Sequence, residues 1–117
     1  MEITVEVTLW VDGIHFWKGA PPWISFLKHP HRHRMQIIAG VDVTRPDREV
    51  EFYSLQIEIK DALDALYGKD AYMSAYLFGE RSCETIAQEI LDEVGTRLDY
   101  VSVSEDGENR AIVTRSD

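Results

Sequence analysis

Hydrophobic and polar residues alternate almost without interruption at the start of the chain. Ile3, Val5, Val7, Leu9 and Val11 share one parity, and Glu2, Thr4, Glu6, Thr8 and Asp12 the other, with Trp10 the exception. Successive side chains of a strand point to opposite faces, so this period of two predicts a strand with one buried face. His15 keeps the parity of that face if the strand runs on past Gly13. Residues 16–30 break the pattern with Gly19, Pro21, Pro22 and Pro30, yet carry Phe16, Trp17, Trp23 and Phe26. That composition predicts an aromatic loop rather than a helix, and loops of this length in compact domains are often functional. Alternation resumes from His33, with Met35, Ile37, Ala39, Val41 and Val43 on one side. A second strand, antiparallel to the first, is expected there.

The period then changes. After a turn over residues 45–50, Phe52, Leu55, Ile59, Ala62, Leu63 and Leu66 recur at helical spacing, and Gly68 supplies a stop. Residues 69–81 fit neither period, although Tyr72, Met73, Tyr76, Leu77 and Phe78 have to pack somewhere. Ser82 can cap a second helix with Ile86, Ala87, Ile90, Leu91 and Val94 on its apolar face, ending near Gly95. Residues 99–105 read as a strand, Asp106-Gly107 as a hairpin turn, and residues 109–114 as the last strand. The order strand, strand, helix, helix, strand, strand predicts one α+β domain over residues 1–117. Its expected form is an antiparallel four-stranded sheet with both helices on the apolar face.

Charge narrows the partners. Twelve Lys and Arg against 21 Asp and Glu leave a net charge of −9, which argues against nucleic acid and against an anionic membrane surface. A small anionic ligand at a local cationic site stays open. The single cysteine, Cys83, allows no internal disulfide and fits a reducing compartment. With no apolar run of transmembrane length and no signal-peptide pattern, a cytoplasmic location is expected.

The candidate chemistry lies in the histidines. His29, His31 and His33 occupy every second position, His15 lies upstream, and no histidine follows. On a strand the three would share a side, and antiparallel pairing of the first two strands brings His15 beside His31 and His33. Three imidazoles with an open fourth position are a catalytic zinc arrangement. The competing reading is a solvated, basic turn, because Arg32 and Arg34 interleave with the histidines. Glu105 has the parity of Val101 and Val103 and so points to the apolar face, where a lone carboxylate is costly. It serves there as the acceptor for a ligand's N–H groups, as a cap for the Asp106-Gly107 turn, or as a partner for Arg110.

Five segments together resemble a known family. His15 follows the first strand, and His31-Arg32-His33 opens the second. Val50-Glu51-Phe52-Tyr53-Ser54-Leu55 opens the first helix and Arg81-Ser82-Cys83-Glu84 the second, and Val101-Ser102-Val103-Ser104-Glu105 ends a strand. In this the chain is similar to the 6-pyruvoyl-tetrahydropterin synthase and 6-carboxy-tetrahydropterin synthase family of T-fold enzymes, as a divergent member. That family binds zinc through a histidine after strand one and a His-Gly-His pair, and anchors its ring on a strand-end glutamate. The resemblance implies zinc on His15, His31 and His33, and substrate contacts from Glu105 and Glu84. It also implies a carbon–oxygen lyase acting on a dihydroneopterin triphosphate-like substrate in pterin or 7-deazapurine (queuosine) biosynthesis. The family assembles as homo-oligomers, hexamers built from two trimers.

The departures concern acid–base chemistry. Leu27 stands where the family places a cysteine, four residues before the first histidine of the pair. If His29-Pro30-His31 were the pair, that position would be Ser25; His31 and His33 fit the strand register better. The family's Leu-Asp-His segment between the helices has no counterpart. Replacement acids or bases are Cys83 and His29 foremost, with Glu84 and Glu51 behind them. Cys83 sits beside a helix start, where a thiolate is favoured, or is simply a small buried residue. The alternative function is a non-catalytic T-fold protein that binds a pterin-like or purine-like ligand, and a purely structural zinc protein is the weaker third.

Overall fold

The computed structural model describes residues 2–72 and 74–116. Met73, one of the apolar residues in need of packing, lies outside them. Strand β1 (Ile3–His15) pairs antiparallel with β2 (His31–Val43) along its whole length, from Ile3 opposite Val43 to His15 opposite His31. On the far side of β2 runs β4 (Tyr100–Glu105), with Met35 opposite Glu105 and Ala39 opposite Val101. Hairpin strand β5 (Asn109–Thr114) completes that side. The registers match odd positions with odd, so Val7, Met35, Ile37, Ala39, Val101 and Val103 converge on one face and are buried there.

Two helices cover that face. Helix α1 (Phe52–Leu66) contributes Leu55, Ile59 and Leu63, and α2 (Cys83–Val94) contributes Ile86, Ala87 and Ile90, all inaccessible to solvent. Both start as the sequence predicts. The Glu51 carboxylate accepts the N–H groups of Tyr53 (2.7 Å) and Ser54 (3.0 Å), and Ser82 Oγ accepts that of Thr85 (3.2 Å). A serine cap such as Ser82 stabilises its helix by about 1 kcal/mol. Gly95, at φ +78°, ends α2.

The fold is α+β, but among the described residues the sheet has five strands rather than four and is mixed rather than antiparallel. The fifth, β3 (Tyr76–Gly79), falls in the segment that fits neither period and runs parallel to β1 beside Gly13–His15. The order across the sheet is β3-β1-β2-β4-β5. Tyr76 and Phe78 point into the core while Leu77 is exposed, which is strand alternation over too few residues to declare itself. Gly13 makes room for it: a Cβ there would lie 2.3 Å from the Phe78 ring. The aromatic loop folds back through the Trp17 N–H to Leu27 carbonyl bond (2.7 Å) and holds two short 3₁₀ turns over Pro22–Lys28, broken at Ile24. Among the described residues no helix is long and apolar enough to cross a membrane.

Candidate metal centre

The β1–β2 register decides where the histidines meet. His15 ends β1 opposite His31, the first residue of β2, and His33 lies opposite Gly13. All three rings project from the helix-covered face. Their centroids are 4.6 Å (His15–His31), 5.4 Å (His15–His33) and 5.0 Å (His31–His33) apart. One ligating nitrogen from each lies within 4.8 Å of the others.

Each ring is held from behind at Nδ1. His15 Nδ1 is 3.1 Å from the Arg81 carbonyl, His31 Nδ1 is 2.8 Å from the His29 carbonyl, and His33 Nδ1 is 2.9 Å from Asp106 Oδ2. These partners can only accept, so each Nδ1 carries a proton, and Nε2 is the nitrogen a neutral ring offers to a metal. Among the described residues, Nε2 of His15 and of His33 is buried without a hydrogen-bond partner. Leaving such an atom unsatisfied costs about 1–3 kcal/mol, and a cation would satisfy both at once. Burial lowers the His15 pKa, against the opposing pull of the Arg81 carbonyl and Glu105. Its imidazole is therefore neutral near pH 7, the form that ligates metal. Three imidazoles anchored at Nδ1 fit zinc.

Glu105 completes the site. Its carboxylate lies 2.9 Å from His33 Nε2 and 3.7 Å from His15 Nε2, out of hydrogen-bond alignment with both. It neither caps the turn nor pairs with Arg110. The turn spans the three residues between paired Glu105 and Asn109, with Asp106 (φ +57°) and Gly107 (φ +77°) left-handed and the Glu108 N–H donating to the Glu105 carbonyl (3.0 Å), the conformation an Asp-Gly pair readily adopts. Arg110 reaches instead to Ser102 Oγ and Gln36 Oε1, each at 3.5 Å. Glu105, His15, His31, Leu27, Cys83 and Glu84 line one cavity of about 480 Å³, a volume suited to a small heterocycle.

The predicted site residues thus separate. His15, His31, His33 and Glu105 meet, with Glu84 exposed at the cavity. The ring of His29 is exposed, and its contribution is the main-chain carbonyl behind His31. Glu51 is committed to the cap of α1 and does not line the cavity. Of the two readings of Cys83, the structure matches the small buried residue. Its Sγ lies 4.0 Å from Glu105 Oε1, and burial, aided by Glu105 and Glu84, pushes the thiol up to about 12. Burial among carboxylates here outweighs the helix N-terminus. Iodoacetamide at pH 8 is accordingly expected to spare Cys83 in the native protein while labelling the denatured chain; equal labelling rates would contradict this. Sequence reasoning missed Asp106, read only as a turn residue, and the carbonyl of Arg81, which carries no side-chain signal at all.

No protein-family sequence profile matches the chain, and no curated protein matches it in sequence. Solved structures do match over nearly its whole length. The 6-pyruvoyl tetrahydropterin synthase of Caenorhabditis elegans superposes with a TM-score of 0.70 at 13% identity, covering 99% of this chain and 97% of that one. That of Plasmodium falciparum gives 0.64 at 17% identity, covering 97% and 98%. An uncharacterised protein of Wolinella succinogenes gives 0.66 at 13% identity, covering 99% of each chain. At such identities the likeness is one of fold: the chain has the T-fold that its motifs resemble.

Proposed function

We propose that this T-fold chain holds zinc, or a similar divalent ion, on His15, His31 and His33. On this reading it binds a pterin-like or 7-deazapurine-like heterocycle through Glu105 and is an enzyme of the tetrahydropterin synthase type. The observation that carries the reading is the convergence of three imidazoles, each anchored at Nδ1, beside one carboxylate on the wall of a cavity. A divalent ion there would supply Lewis acidity toward a side-chain hydroxyl or carbonyl oxygen and so acidify the adjacent C–H. Glu105 accepts two neighbouring N–H groups of the ring, and Glu84 adds a second acceptor at the start of α2. Arg110 and Arg81, the latter paired with Glu89 at 2.7 Å, line the same cavity and are the cations there that an anionic side chain could meet. A dihydroneopterin triphosphate-like molecule is therefore the first substrate to test, with zinc-loaded protein and chromatographic detection of product. Product formation at the rate of the zinc-only blank would remove the lyase reading.

Two observations favour a second reading, a non-catalytic protein that binds the same heterocycle. Leu27 on the cavity wall can move no proton, and the Cys83 thiol, pushed up to about 12, is a poor base. Ligand binding without turnover in the same assay would select it.

Assembly belongs to the proposal. The outer edge of β5 has no partner strand, and β3 covers β1 only at Gly13–His15, among the described residues. Unpaired edges invite further strands. Nearby, exposed Trp10, Tyr53 and Ile57 line one surface groove. A homo-oligomer, two trimers forming a hexamer, is the expected state. Sedimentation at micromolar concentration should give a species well above 13.5 kDa; a stable monomer would overturn this part.

A further inference from the structure

The three Nδ1 anchors are not alike. His15 and His31 rest on neutral carbonyls, whereas His33 rests on a carboxylate, 2.9 Å away. That carboxylate is itself tightly held. Asp106 Oδ1 accepts the Arg34 N–H (3.1 Å), and the Asp106 N–H donates to the Arg34 carbonyl (2.8 Å). Both carboxylate oxygens are thereby used, one to lock the side chain onto β2 beside His33 and the other to hold the ring. A hairpin turn does not account for this. It needs a residue that accepts a left-handed backbone, which Asn or Gly supplies as well as Asp.

We propose that Asp106 is a positioning residue of the metal centre, fixing His33 in the tautomer that presents Nε2 and making it the most electron-rich of the three ligands. The inference rests on the metal reading above. A carboxylate behind a ligating imidazole orients the ring and raises its basicity, and losing such a partner typically lowers metal affinity about 10–100-fold. Glu105 stands on the opposite side of the same ring, at Nε2. The hairpin therefore places two adjacent acids on the two nitrogens of one histidine. Glu105 faces the cavity and Asp106 faces away from it, which gives one residue to the ligand and the other to the metal.

The test uses Asp106→Asn and Asp106→Gly, both of which tolerate the left-handed turn. Asn keeps an amide oxygen for Nδ1–H but removes the charge; Gly removes both. Zinc affinity, measured by competition with a chromophoric chelator, is expected to fall about tenfold in Asp106→Asn and toward a hundredfold in Asp106→Gly. The melting temperature of the metal-free proteins should stay close to wild type. Imidazole NMR of the zinc-loaded wild type gives a readout independent of any variant: His33 should carry its proton on Nδ1. Wild-type affinity in both variants, or the opposite tautomer in the wild type, would overturn the proposal alone. A wild type that binds no zinc would overturn the metal reading first, and this inference with it.

Discussion

Replacing His15, His31 or His33 by alanine is expected to cost at least a hundredfold in zinc affinity, whereas His29→Ala should cost nothing measurable. The contrast follows from geometry. One ligating nitrogen from each of the three rings lies within 4.8 Å of the others, while the His29 ring is exposed and offers only its main-chain carbonyl to the centre. Structural zinc sites with four ligands bind with about 10–16 kcal/mol. One ligand's share is then roughly 3 kcal/mol, or more than two orders of magnitude. A thermal consequence follows, because an ion that binds only the folded state stabilises it by about 2.7 kcal/mol at a hundred times its dissociation constant. Saturating zinc should raise the melting temperature of the wild type and of His29→Ala, and leave the other three variants where they were. A shift lost in His29→Ala and kept in His33→Ala would assign the metal to the other histidine pair. The register of β2 against β1 would then be misplaced.

The second large effect concerns Glu105. Glu105→Gln should leave folding stability within about 1 kcal/mol of wild type, the scale of one ordinary hydrogen bond. The same change should weaken binding of a pterin or 7-deazapurine by about 1.5–3 kcal/mol, the range for charge-assisted bonds, which is roughly 10- to 150-fold. Its carboxylate is about one-third exposed, carries no aligned hydrogen bond to either histidine and makes no ion pair with Arg110. Little in the fold depends on its charge. A heterocycle presenting two N–H groups depends on it fully, since an amide offers one acceptor and turns two donors toward the ring. Calorimetric titration of both proteins with one ligand separates the roles. Equal affinities, or a variant that unfolds, would move Glu105 from the site to the scaffold.

How much of this was legible from residues alone follows the range of the interactions involved. The period-two run from Ile3 to Val11 and its counterpart from His33 to Val43 specify two faces. Antiparallel pairing of two such faces leaves the histidines no choice but one end of one side, so the cluster could be drawn before the fold was known. Strand β3 could not. Its four residues become a strand only because Gly13 opens a space for Phe78, a contact between distant parts of the chain. Asp106 was read from its Asp-Gly signature as a turn, correctly. That the same carboxylate reaches His33 depends on β4 lying beside β2 in a register where Glu105 faces Met35. The choice between a thiolate and a buried thiol at Cys83 stays open in the sequence for a related reason. A helix start is visible locally, but the burial and the two carboxylates that outweigh it belong to the assembled cavity.

The most direct test of the metal centre is a zinc count. Wild-type protein equilibrated with excess zinc and freed of unbound metal by gel filtration should retain one zinc per chain by elemental analysis, and His33→Ala treated in parallel should retain none. A wild type that keeps no zinc, or a His33→Ala protein that keeps as much as the wild type, would contradict the account.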